Sequence, residues 1–130
     1  MNKSKIHLSA YANYKVTCII GTRKELCEYM LKKYDSVTDP KEVDGEYFKI
    51  YSDGGEITKG IIFLNSAVLK KNRLETLVHE SLHCAERIMG LLKIKTDTDN
   101  HEALAYLQGS IFSRFYKKNI KFFASKRKKK

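Results

Sequence analysis

A chain of 130 residues, 42% hydrophobic and 31% charged, has the length of one domain with a modest core and the balance of an ordinary soluble globular protein. No apolar run approaches the roughly 18 residues of a membrane span, and Met1-Asn2-Lys3-Ser4-Lys5 leads into no apolar signal segment, so a cytoplasmic setting without membrane contact is expected. Cys18, Cys27 and Cys84 are odd in number and lack metal-pair spacing, which argues against a disulfide framework and for free, mostly buried thiols.

In chain order, residues 6–10 and 14–20 are rich in β-branched and aromatic types and are expected to pair as strands across Tyr11-Ala12-Asn13. Thr22 and Glu25 form a capping-box pattern, and Leu26, Tyr29, Met30 and the stem of Lys33 then mark one face of a helix reaching about Tyr34. Residues 35–45, with the only proline, Pro40, read as a loop. Residues 46–51 and 56–64 read as a hairpin turned by Ser52-Asp53-Gly54-Gly55, because Asp-Gly and Gly-Gly supply the positive φ of a tight turn.

From about Asn72 the pattern is helical as far as Gly90, a natural C-cap, and a last helix is expected from about Asp99 to Lys117. On the first of these, Leu74, Leu77, Val78, Leu82, Ala85, Ile88, Met89 and Leu92 form one broad apolar stripe at ~100° per residue. The fold class is therefore α+β: a small antiparallel or mixed sheet, one helix before the hairpin and two long helices after it.

The penultimate helix carries His79-Glu80-Ser81-Leu82-His83. Histidines four apart on a helix point the same way, so both imidazoles can hold one ion while Glu80 reaches a water beside it. Both fall nearly opposite the apolar stripe, which leaves simple surface histidines as the main competing reading. Glu75, Thr76, Glu86 and Arg87 share or flank that side and are candidates to orient the imidazoles or to form ion pairs.

A catalytic zinc site needs a third protein ligand and an open position. Glu102, on the next helix and off its core stripe of Leu104, Leu107, Ile111 and Phe115, suits that role beside the small residues Ala105 and Gly109. It also has the spacing of the partner in an Asp99 capping box, and His101, Asp97 and Asp99 are alternative ligands. Cys84, next to His83, projects about a quarter-turn away and reads as a packing residue, and His7 has no visible partner.

The HExxH segment, the 18-residue gap and Asn100-His101-Glu102-Ala103-Leu104-Ala105 together resemble the gluzincin branch of zinc metallopeptidases. Gly60-Ile61-Ile62-Phe63-Leu64-Asn65 resembles the strand that zincins place before the active helix, including small phage- and prophage-associated proteins of the ImmA/IrrE-like kind. The resemblance spans roughly residues 56–116 and implies a minimal zincin-like fold whose edge strand lines a cleft for an extended peptide. It further implies Zn²⁺ held by His79, His83 and Glu102, Glu80 as general base in peptide-bond hydrolysis, a protein or peptide substrate, and a phage-infected or prophage-carrying bacterial host. Tyr106, one turn after Glu102, is the expected oxyanion donor, or else an amphipathic boundary residue.

Residues 1–116 are expected to form the metal-binding domain and 117–130 a basic tail. That tail holds eight of the 25 basic residues and no acidic ones, so the remainder has 17 against 15, a net charge of only +2. A solvated, frayed end is the plain reading of such a run; salt-sensitive, non-specific nucleic-acid contact, with Phe122 and Phe123 stacking on bases, is the other. A second function class follows, a non-catalytic zinc-stabilised protein that binds a protein or nucleic-acid partner through this tail.

Overall fold

A computed structural model describes residues 1–11, 13–51, 57–95 and 97–124. Strands β1 (Asn2–Leu8) and β2 (Tyr14–Gly21) precede helix α1 (Arg23–Tyr34); β3 (Gly45–Tyr51) and β4 (Ile57–Asn65) precede α2 (Lys70–Leu91), α3 (His101–Lys118) and the short α4 (Ile120–Phe123). The α+β expectation holds, with a mixed four-stranded sheet in the order β1-β2-β4-β3. Both expected antiparallel pairs form, β1 with β2 and β3 with β4, and β2 joins β4 in parallel. The expected turn at Ser52-Asp53-Gly54-Gly55 lies outside the described residues.

Strands β2 and β4 are central, and Val16, Cys18, Ile19, Ile20, Ile61, Ile62, Phe63 and Leu64 are buried, so apolar residues serve both faces. One face, through Ile19, Ile61 and Phe63, packs on Leu26 and Met30 of α1. The other, through Val16, Cys18, Ile62 and Leu64, packs on Leu77, Cys84, Ile88 and Met89 of α2 and Leu107, Ile111 and Phe115 of α3. The sheet is thus sandwiched between α1 and the α2–α3 pair, and α2 packs along the β3–β4 half.

The Thr22–Glu25 capping box is present, with both reciprocal hydrogen bonds formed. Helix α2 starts at Lys70, two residues before the expected Asn72, with no side-chain cap on Leu69. Buried Asn65 accepts from the Ala67 amide and donates to Glu42 (2.7 Å) and to the Val43 carbonyl (3.0 Å), turning the chain out of β4 into the helix. At the other end Gly90 lies inside α2, and Lys93 takes the left-handed conformation at φ 57°. Lys93 donates to the Gly90 carbonyl and Ile94 to that of Met89, the paired bonds of a Schellman motif, with Ile94 packed against the core. The partly buried Ile94 packs against the core, a contact that opposes the ~1 kcal/mol or more a lysine loses at positive φ.

The apolar stripe of α2 is rotated from the expected one. Leu74 and Val78 are exposed, while Glu80, Ser81 and Cys84 are buried. Helix α3 starts at His101, and Asp97, not Asp99, organises its approach by accepting from the Asp99 amide and the Asn100 side chain.

The segment set apart as tail begins inside the fold. Lys117 and Lys118 end α3, and Asn119 is buried, bonded to Asn2, Ser4 and Phe115. Phe122 lies under the Arg73 guanidinium, 4.1 Å from ring centroid to Cζ, and its carbonyl accepts from Arg73 Nη1. Phe122 and Phe123 are half-buried and pack against the core rather than extending as a solvated end. Residues 125–130 lie outside the described residues. No described helix is long and apolar enough to cross a membrane.

Candidate metal centre

Along the outer side of α2 the imidazoles of His79 and His83, one turn apart, bring their Nε2 atoms to 3.0 Å, with the rings nearly perpendicular. Two nitrogens bound tetrahedrally at 2.0–2.1 Å from one zinc ion sit about 3.3 Å apart, so the pair is close to the spacing that coordination requires. Both histidines are exposed, as the helical phase predicts. Ligand atoms of His79, Glu80 and His83 all lie within 4.8 Å of one another, and among the described residues this is the one such group of three or more potential ligands.

Glu80 is 6% exposed although it neighbours an exposed histidine in sequence. It projects under the first residue of β3, where a Cβ on Gly45 would stand 3.2 Å from Glu80 Cγ, 2.6 Å from Thr76 Cγ2 and 3.0 Å from the Phe63 carbonyl oxygen. Burial raises the Glu80 carboxyl above its ordinary value, against the opposing pull of His79 and His83. A carboxyl so raised is a stronger base when ionised.

The edge strand β3 forms the opposite wall, and Gly45, Glu46, Tyr47 and Lys49 share one open cavity with His79, Glu80, His83, Glu86 and Arg87. Arg23, buried at the start of α1, positions this wall. It donates to the Asp39 carbonyl through Nε and Nη2 and pairs with Glu46 at 2.9 Å. Beneath the wall the Tyr14 and Tyr47 hydroxyls hydrogen-bond to each other, over Gly60, whose added Cβ would meet both phenols at under 3 Å. Burial pushes the Tyr14 phenol and the Cys84 thiol each up to about 12 and the Tyr47 phenol higher still. Cys84 is fully buried and packs in the core cluster beside the site.

Compared with protein-family models, with curated proteins and with solved structures, the chain matches none. The site stands on its own geometry. It is a histidine–glutamate–histidine cluster that can hold a metal ion.

Glu102 and Tyr106 lie elsewhere on the surface. Both are exposed, Tyr106 at 78%, and both line a shallow groove on α3 with His101, Ala105, Gly109, Ser110 and Ser113. Gln108 of α3 donates to the Val78 carbonyl of α2 at 3.1 Å, and past the end of α3 the α4 residue Phe122 meets Arg73, nearer the start of α2. The helices are thus antiparallel. Six residues before Gln108, Glu102 stands about 9 Å back along α3, level with the turn of α2 that contains His83. Of the alternative ligands, His101 is tied through Nδ1 to the Thr98 carbonyl and Asp97 to its own turn.

Sequence reasoning missed Gly45, Glu46 and Tyr47 as parts of the site, because contact between β3 and α2 is tertiary. The one local hint is the glycine opening a strand, a place where another chain segment often approaches closely. Replacing Gly45 with alanine should separate β3 from α2 and destabilise the fold by about 1–3 kcal/mol, as overpacking does. Denaturant unfolding of Gly45→Ala beside wild type measures this, with Gly109→Ala, where an added Cβ meets nothing within 4 Å, as the control.

Proposed function

We propose that the chain is a zinc-dependent, metallopeptidase-like hydrolase of the zincin type, with gluzincin ligation. The observation that carries this reading is the convergence of His79 and His83 Nε2 at 3.0 Å over a buried Glu80, facing an edge strand. A zinc ion held there supplies an acidified water and polarises a carbonyl. Glu80 accepts the proton of the attacking water on its carboxylate and delivers it to the leaving amine. Strand β3 pairs only with β4 among the described residues, so its other edge is free to hold an extended peptide by main-chain hydrogen bonds across the cavity.

Glu102 is the proposed third ligand. Its support is the resemblance carried by Asn100-His101-Glu102-Ala103-Leu104-Ala105 and its level beside His83 along the helix axis; ligation then requires its exposed side chain to turn from the α3 groove toward the histidines. Tyr106, one turn further on the same face, is the proposed donor to the oxyanion. Glu102→Ala should weaken zinc binding by roughly 100-fold or more, beyond the 10–100-fold effect of residues that only orient ligands. Competition titration with a chromophoric chelator reads this out; unchanged affinity would remove Glu102 from the ligand set and with it the gluzincin assignment.

A further inference from the structure

Toward the start of α2 a second cavity shares Gly45, His79 and Glu80 with the one beside the two histidines. Its remaining wall carries Glu42, Asp44 and Glu75 and no lysine or arginine. All three acidic residues are exposed, and none forms an ion pair among the described residues. Lys41 and Lys71, the nearest cations in sequence, line no part of this cavity. Asn65 holds the wall in place, donating from its side chain to Glu42 at 2.7 Å and from its amide to the Asp44 carbonyl at 2.8 Å.

Glu80 connects the two cavities. It is 6% exposed, lines both, and makes no hydrogen bond or ion pair among the described residues. A buried carboxylate in this state is costly until something donates to it, and a peptide held over it extends into both cavities at once. The two cavities differ in charge. On the His83 side Lys49 and Arg87 stand with Glu86, and Glu46 is engaged by Arg23. On the other side three carboxylates stand without a cation. Glu75 lies one helical turn before His79, about 6 Å along the axis, which a long side chain beside the scissile bond spans. The chain as a whole carries +10, so attraction of a cation here is a local property that runs against the net charge.

We propose that Asp44 and Glu75, with Glu42 beside them, form a substrate-recognition subsite for a lysine or arginine side chain carried next to the scissile bond. This rests on the metallopeptidase-like reading above and names its substrate class, a basic peptide segment. The carboxylates bind and orient the substrate and take no part in the proton transfers at Glu80.

The test uses the full chain loaded with zinc and hydroxamates that chelate the metal alike. The hydroxamate of ε-aminocaproic acid carries an ammonium at the reach of a lysine side chain, and heptanohydroxamate carries a methyl in its place. Calorimetric titration should show wild type binding the ammonium probe about fivefold or more tightly, because exposed pairs that are weak singly act together here. The gap should narrow as salt is raised. The double variant Asp44→Asn/Glu75→Gln should lose the preference while keeping zinc and its affinity for heptanohydroxamate. Wild type that binds zinc and both probes equally overturns the basic subsite and leaves the metal site standing, and a preference that survives in the double variant overturns its assignment to these carboxylates. A preference at least as large for the hydroxamate of β-alanine over butanohydroxamate indicates a backbone amine and overturns the side-chain assignment. Wild type that binds no zinc overturns both readings. If the double variant unfolds, Glu75→Gln alone, at an exposed helix position, decides by losing part of the preference or none.

Discussion

His83→Ala, and separately His79→Ala, should abolish tight zinc binding while leaving the metal-free protein as stable as wild type. Each imidazole supplies one of the two converging nitrogens, and a single remaining histidine beside Glu80 leaves a site with the affinity of a surface ligand pair. The expected loss exceeds 100-fold, since residues that merely orient a ligand already cost about 10–100-fold. Stability should hold because both side chains are exposed and neither packs in the core clusters; surface changes of this kind stay within about 0.5 kcal/mol. Zinc titration and metal-free thermal melts on the same samples measure the two halves. A histidine variant that melts far below wild type without metal would indicate a structural role for the imidazole. A variant with full zinc affinity would place the ion elsewhere.

Glu80→Gln should have the opposite signature, with metal retained and hydrolysis lost. Glutamine keeps the shape that fits under Gly45 but accepts no proton, and removal of a general base typically costs 10²–10⁴-fold in rate. The metal-free stability carries a pH dependence whose sign is fixed. Burial raises the folded-state carboxyl above its ordinary value of 4.5, so ionised Glu80 is less favourable in the folded chain than in the unfolded one. The penalty grows as pH rises from about 4.5 through the folded-state value and is then constant. Metal-free Glu80→Gln should therefore be at least as stable as wild type at pH 7, with the difference vanishing below pH 4.5. Melts of the chelated proteins across this range read it directly. Loss of zinc in Glu80→Gln would make Glu80 a ligand instead of a base.

The parts of the fold legible in the sequence are those decided locally. The Thr22–Glu25 cap depends on residues three apart, and the two antiparallel pairs depend on short connections, so both followed from pattern. The exposed phase of His79 and His83 was legible for the same reason. Helix ends were not, because burial of Ile94 stabilises a left-handed Lys93 where a glycine three residues earlier was the local favourite. Nor was the rotation of α2 that exposes Leu74 and Val78 and buries Glu80 and Ser81, since it answers to the packing of β3 and β4 on that helix. The buried Arg23, holding the 35–44 segment and Glu46 together, had no sequence signal beyond its place after a cap. At the site, the histidine–glutamate–histidine group was readable from spacing alone. The cavity wall from Gly45 to Lys49 was not, and the side chain of Glu102 lies in the α3 groove, apart from the cavity that the histidines line.

Metal analysis of the purified full chain tests the central claim most directly. After dialysis against trace zinc, wild type should retain close to one zinc per chain and the double variant His79→Ala/His83→Ala none; wild type that retains no metal, or a double variant that retains as much, would contradict a metal centre at this cluster.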